Sequence, residues 1–255
     1  ESHLSSIMPY LHKPLLPQLA NEILTLNEGL SGVANIKSIL GDSETIRNLY
    51  GYALTLKYFK PVNNTVLSEW IPLDAYPHWF KGVDRRPDLL QLSVKINESN
   101  HPIIHAHLVE SKIGSMALVN EAENQLEVGL KHLIKLFAPR SDKQSYDRRY
   151  WWGQMYRALI TRAIVEQLNT TEFSIALEKL TEGDFDIHWS SSVVICRVGY
   201  NDETIDKTER QYLSDSLIGT QKSFHIYEFS EIAFEKTLLN WVDWSQVSRE
   251  IQKSE

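Results

Sequence analysis

The sequence predicts an α/β protein in which helices flank a mixed central sheet. Apolar residues recur at helical spacing near 18–30, 44–58, 118–137 and 145–168. β-Branched or alternating runs fall at 65–73, 89–96, 103–112, 187–198 and 224–229. These two kinds of segment are interleaved as helix, three strands, long helix, then further helix and strand. That order calls for a sheet with some parallel neighbours, covered by helices.

Residues 9–17 contain three prolines and read as an irregular lead-in. Leu19, Ile23, Leu26 and Leu30 share one helical face, and Gly29 and Gly32 can end that helix. Asp42, Ser43 and Glu44 form a helix start; Tyr50, Leu54 and Tyr58 continue one face, and Pro61 stops it. The first strand run precedes a loop at 74–87 carrying Tyr76, His78, Trp79, Lys81, Arg85 and Arg86. The next two strand runs flank the turn-rich stretch 97–100, and Gly114 ends the second. The 118–137 helix is closed by Pro139. The 145–168 helix puts Trp152, Tyr156, Leu159 and Ala163 on one side. A short helix is expected at 173–180, a loop with some helix at 201–221, and a closing helix at 232–242. No repeat or low-complexity tract is present. Residues 1–42 are therefore a helical lead-in, and 43–255 one compact domain. A start at Glu1 instead of Met suits a piece of a longer protein.

The hydrophobic fraction of 42%, with seven Trp and eleven Tyr, is ample for a core. No stretch approaches the ~20 apolar residues of a membrane span, and no secretory signal is visible. Cys196 is the only cysteine and lies in a β-branched run, so a buried structural thiol is favoured over a catalytic one. A reducing cytoplasm is the expected compartment. The net charge of −7 argues against nonspecific attraction to polyanions. Its distribution is uneven: residues 140–163 hold six Arg/Lys against two Asp, and residues from 166 onward hold eight against seventeen Asp/Glu. A DNA-facing surface should use the first of these stretches.

One constellation carries chemistry. Asp88 opens the 89–96 run, and Glu110, Ser111 and Lys112 close the next. Side chains alternate along a strand, so Glu110 and Lys112 share a face. Two carboxylates and one ammonium can meet at the edge of one small sheet. Hard divalent cations prefer carboxylate oxygen and water, and a phosphodiester brings further oxygens. Val109 and Ile113 make the strand look buried, and buried charges need partners or metal. The bland alternative is an exposed Glu–Lys pair on an edge strand.

Pro87, Asp88, Glu110, Ser111 and Lys112 resemble the signature of the PD-(D/E)xK nuclease superfamily, over roughly residues 43–229. The resemblance implies a restriction-endonuclease-like α-β-β-β-α-β core. It also implies a site in which Asp88, Glu110 and the Ser111 carbonyl hold Mg²⁺ or Mn²⁺. Lys112 would position or deprotonate the attacking water and offset developing charge. An acidic residue from the preceding helix often completes such a site; Glu44 is the choice and Glu28 the runner-up. RecB-like members carry Gln-x-x-x-Tyr in the following helix. Here Gln125 fits, but Gly129 stands at the Tyr position. Gln125 is read either as a ligand of water or phosphate, or as a solvated helix residue. The chain as a whole is similar to the nuclease portion of DptH-type restriction proteins linked to DNA phosphorothioation.

Arg85 and Arg86 sit beside Asp88 and suit a DNA backbone near the metal; Arg148 and Arg149 are further candidate phosphate contacts. Trp152 reads as core. His105 and His107 share the face opposite Glu110 and Lys112, and packed histidines are favoured over a zinc site that includes His101. The expected function is a Mg²⁺-dependent DNA endonuclease domain of a bacterial restriction or phage-defence system. Since no Walker A pattern occurs, an ATPase or helicase would lie elsewhere in the chain or on a partner. A homodimer would suit double-strand cleavage. The alternatives are an inactive nuclease-fold DNA-binding or assembly module, and RNA cleavage.

Overall fold

A computed structural model describes residues 2–28, 30, 43–140, 146–165, 171–211 and 223–240; within these, the side chains of 2, 43–45, 146, 147, 165, 171 and 172 are outside the description. Helices α1 (Ser2–Ile7), α2 (Leu16–Glu28) and α3 (Ser43–Tyr58) lead into β1 (Leu67–Pro72), β2 (Leu89–Ile96) and β3 (Pro102–Gly114). Then come α4 (Val119–Leu136), α5 (Tyr146–Val165), α6 (Thr171–Glu182), β4 (Asp186–Arg197), β5 (Ile205–Gln211), β6 (Ser223–Ser230) and α7 (Glu231–Leu238). No described helix is long and apolar enough to cross a membrane.

The strands form one six-stranded mixed sheet in the order β1-β2-β3-β4-β6-β5. β1, β2 and β3 are an antiparallel meander. β3–β4 and β4–β6 are parallel, and β5 returns antiparallel to β6. The antiparallel β2–β3 step needs only the turn at 97–100, whereas the parallel β3–β4 step needs a long crossover, which α4, α5 and α6 supply.

Each face of the sheet has its own core. One joins Leu90, Leu92, Ile104, Ala106, Leu108, Val193 and Ile195 to the buried stripes of α4 (Ala122, Leu126, Leu130, Leu133) and α5 (Trp152, Met155, Leu159, Ala163). The other joins Leu89, Val109, Ile113, Val194 and Cys196 to α3, α7 and the N-terminal Leu4, Met8, Leu11, Leu19 and Ile23. The N-terminal segment is thus part of that layer. Buried glutamates tie it down: Glu231 Oε2 accepts from the Tyr10 amide at 2.6 Å, and Glu235 Oε2 from the His12 amide at 2.8 Å. Ser230 caps α7 by accepting from the Ala233 amide at 3.0 Å.

Residues 2–7 form a helix within the stretch read as a helical lead-in. The expected loop at 201–221 contains β5, all seven of whose residues are exposed. This strand has no buried alternate face, so it has no period-two apolar signal; hydrogen bonds to β6 define it. The closing helix is described only to Leu238, and residues 241 and 242 lie outside the described residues.

Candidate active site

Leu89 pairs with Val109 in the β2–β3 ladder, so Asp88 stands one step further, across from Glu110. Opposed residues of an antiparallel pair share a face. Asp88 Oδ2 accepts the Ser111 main-chain N–H at 2.8 Å, which ties the start of β2 to the end of β3. The Leu73 amide bonds the Asp88 carbonyl at 2.9 Å, anchoring β1 to the same point. Glu110 is fully buried, and Lys112, 21% exposed, brings Nζ to 2.8 Å from Glu110 Oε1. Among the described residues neither Glu110 oxygen has a well-formed hydrogen bond, so Lys112 engages it chiefly as an ion pair.

Burial sets the electrostatics. It pushes the Asp88 carboxyl from 3.8 up to about 6, against the opposing pull of Lys112 and the Ser111 amide. Burial and then Asp88 drive Glu110 well above the carboxylate range, with Lys112 opposing. Burial would lower Lys112, but the Glu110 charge and contact and Asp88 outweigh it, so the amine is held protonated. The protein alone therefore tends to keep a proton on its acid pair. A divalent cation would displace that proton and neutralise the acid pair.

The donor set fits magnesium. This ion is commonly held by one or two carboxylates, with water and phosphate completing the shell. Among the described residues no three His, Cys, Asp or Glu converge as a metal group, so a site here rests on Asp88 and Glu110. The Ser111 side chain points to the other face. There α3 comes so close that a Cβ on Gly51 would overlap its hydroxyl, leaving only the Ser111 main chain at the acids. Glu44 lies on α3, but its side chain is outside the described residues.

Helix α4 roofs the site. A Cβ on Gly129 would overlap the Pro87 ring, so the helix rests directly on the residue before Asp88. Gln125, one turn earlier on the same stripe, has a buried Oε1 without a partner among the described residues. The Gly in place of Tyr thus has a steric reason.

Arg86 is half-buried and its charge reaches Asp88, whereas Arg85 is exposed beside it. Arg148 donates to the Pro139 carbonyl at 3.4 Å, and Arg149 is exposed; no described contact joins either to the acids.

Three further residues belong to this environment. Burial, followed by the charges of Asp88, Asp74 and Glu110, keeps the Tyr52 hydroxyl protonated. Asp74 raises Asp88, and Glu121 of α4 raises Lys112. Tyr52 has an apolar-core position on α3, and nothing local marks it as facing acids.

His107 is bonded through Nδ1 to Ser190 Oγ at 2.6 Å and lies 4.9 Å from the Phe59 ring; burial lowers it to about 4. His105 stacks on His188, and His101 contacts Asp184 and Asp186. Cys196 is buried, with Sγ 3.9 Å from the Ser230 carbonyl, and burial pushes its thiol far up. No protein-family model, curated protein or solved structure matches the chain.

Proposed function

We propose that this chain is a metal-dependent nuclease domain of the PD-(D/E)xK type, with a restriction-endonuclease-like core, that hydrolyses phosphodiester bonds in DNA. The observation that carries this reading is a fully buried Glu110 whose oxygens lack well-formed hydrogen bonds, across from Asp88 and 2.8 Å from the Lys112 ammonium. Such a charge cluster is costly to a fold, and its natural complement is a cation.

Asp88, Glu110 and the Ser111 carbonyl would hold Mg²⁺ or Mn²⁺. The bound ion would lower the pKa of a water and neutralise charge at the scissile phosphate. Lys112, held protonated, would donate to a non-bridging phosphate oxygen and stabilise the charge that builds as water adds to phosphorus and the ester P–O bond breaks. Its pKa direction favours this electrostatic role over that of a base. Gln125 would orient the water or a phosphate oxygen, and Arg86 with Arg85 would hold the DNA backbone. A restriction or phage-defence setting, with a motor on a partner or further along a longer chain, belongs to the same proposal. A second reading, an inactive nuclease-fold DNA-binding or assembly module, draws on the net charge of −7 and on Gly129.

The test is cleavage of supercoiled, linear and single-stranded DNA with Mg²⁺ or Mn²⁺, using wild type and Lys112→Ala. Cleavage that needs the metal and is lost in the variant supports the nuclease. Activity that persists in EDTA refutes it, and metal-independent DNA binding without cleavage supports the second reading.

A further inference from the structure

The edge strand β1 borders a cavity of about 580 Å³. Its lining includes Tyr76, which packs with the core on the α4–α5 side of the sheet, Trp70 of β1, which packs with the core on the α3 side, and the polar Gln154, Arg157 and Thr161 of α5. It lies one strand away from the start of β2: Ile71 and Pro72, which also line it, pair with Leu90 and Leu89, the two residues that follow Asp88. Neighbouring strands are ~4.8 Å apart, so the β1 main chain that lines the cavity runs beside the β2 residues that follow Asp88.

Its chemistry is not that of a phosphate pocket. Arg162 is paired with Glu69 at 3.5 Å, and Glu28 shares the cavity with the remaining cation, Arg157. Two arginines and two glutamates leave the lining with no net charge, whereas phosphate recognition calls for a net positive one. What remains is aromatic and apolar wall, with donors and acceptors mixed along one side. Among the described residues no hydrogen bond or ion pair engages the side chain of Gln154 or Arg157. A nucleobase offers the complement: two apolar faces and an edge of alternating donors and acceptors. The volume is ample for such a group and lies within the roughly 300–1,000 Å³ of ligand pockets.

We infer that this cavity receives an unpaired nucleobase of the strand whose phosphate lies at Asp88 and Glu110, so that the substrate is single-stranded or locally unpaired DNA. The inference rests on the nuclease reading for the position of the phosphate. The base would lie against Tyr76, with its edge toward Gln154, Arg157 and Thr161. A base held in a duplex cannot enter without being extruded, so matched duplex should be the poorer substrate.

The test separates this from the chemistry. In EDTA, fluorescence anisotropy would compare a labelled single strand of about 20 nucleotides with an abasic strand of equal length, which keeps the phosphates and lacks the bases. Wild type should bind the base-bearing strand about tenfold tighter. That preference should collapse in Gln154→Ala/Arg157→Ala, whose positions on the accessible side of α5 leave the core intact. Equal affinity of wild type for the two strands overturns the inference, as does a preference that survives in the double variant. Mg²⁺-dependent cleavage, measured in parallel, answers for the nuclease reading. A base preference without cleavage would remove the nuclease and leave the cavity, and cleavage without a base preference would do the reverse.

Discussion

The Ser111 amide donates to Asp88 Oδ2 at 2.8 Å, so the acid that opens β2 is held by the main chain that follows the acid of β3. One hydrogen bond therefore places both carboxylates. It also makes Asp88 a structural acceptor as well as a charge, and its two roles can be separated.

Asp88→Asn keeps an acceptor for the Ser111 amide and removes the charge. The folded protein holds the Asp88 proton up to about pH 6, the unfolded chain only to about 3.8. Between those values the native state binds more protons, so stability falls as pH rises through the window and the penalty is complete above it. It is on the order of 3 kcal/mol. The variant should therefore melt higher than wild type near neutral pH, with the difference vanishing near the unfolded pKa. Thermal melts at both pH values, with cleavage abolished in the variant, check this. Mg²⁺ should raise the wild-type Tm and leave that of the variant unchanged.

Lys112→Ala removes the cation nearest Glu110 and raises that carboxyl further. Cleavage should fall by about two orders of magnitude or more. Circular dichroism should stay native, because a protonated Glu110 leaves no bare charge. Loss of the folded spectrum would instead make Lys112 a structural counter-ion.

Gly129→Ala tests the packing of α4 on Pro87. The new methyl has no space, so α4 must lift from the site at a cost of about 1–3 kcal/mol. A lower denaturation midpoint and a larger fractional loss of cleavage are expected. An unchanged midpoint would show that the helix can shift freely over Pro87.

Arg85→Ala with Arg86→Ala should weaken DNA binding by similar factors across sequences and make its salt dependence shallower. The slope should fall by about two, one for each phosphate that the variant no longer neutralises. Titrations at several salt concentrations give that slope, and an unaltered slope excludes both residues as phosphate ligands.

Glu235→Ala strips the acceptor from the His12 amide and from His12 Nδ1, 2.7 Å from Oε1. The expected cost is about 1–3 kcal/mol, read by chemical denaturation. Glu235→Gln retains an acceptor and should recover part of it.

Much of the scaffold was legible in the chain itself. Periodicity located α3, β2, β3, α4 and α5 because burial of one face leaves its spacing in the sequence. Alternation alone put Glu110 and Lys112 on one side of β3 and His105 and His107 on the other, where the sheet has them. Tertiary structure decided the rest. Pairing of β2 with β3 brought Asp88 opposite Glu110, packing of α3 brought Tyr52 toward them, and packing of α4 set Gly129 against Pro87. Backbone bonds to β6 ordered the polar β5. These relations depend on register and on the meeting of residues far apart in the chain, and neither leaves a local pattern of residue types.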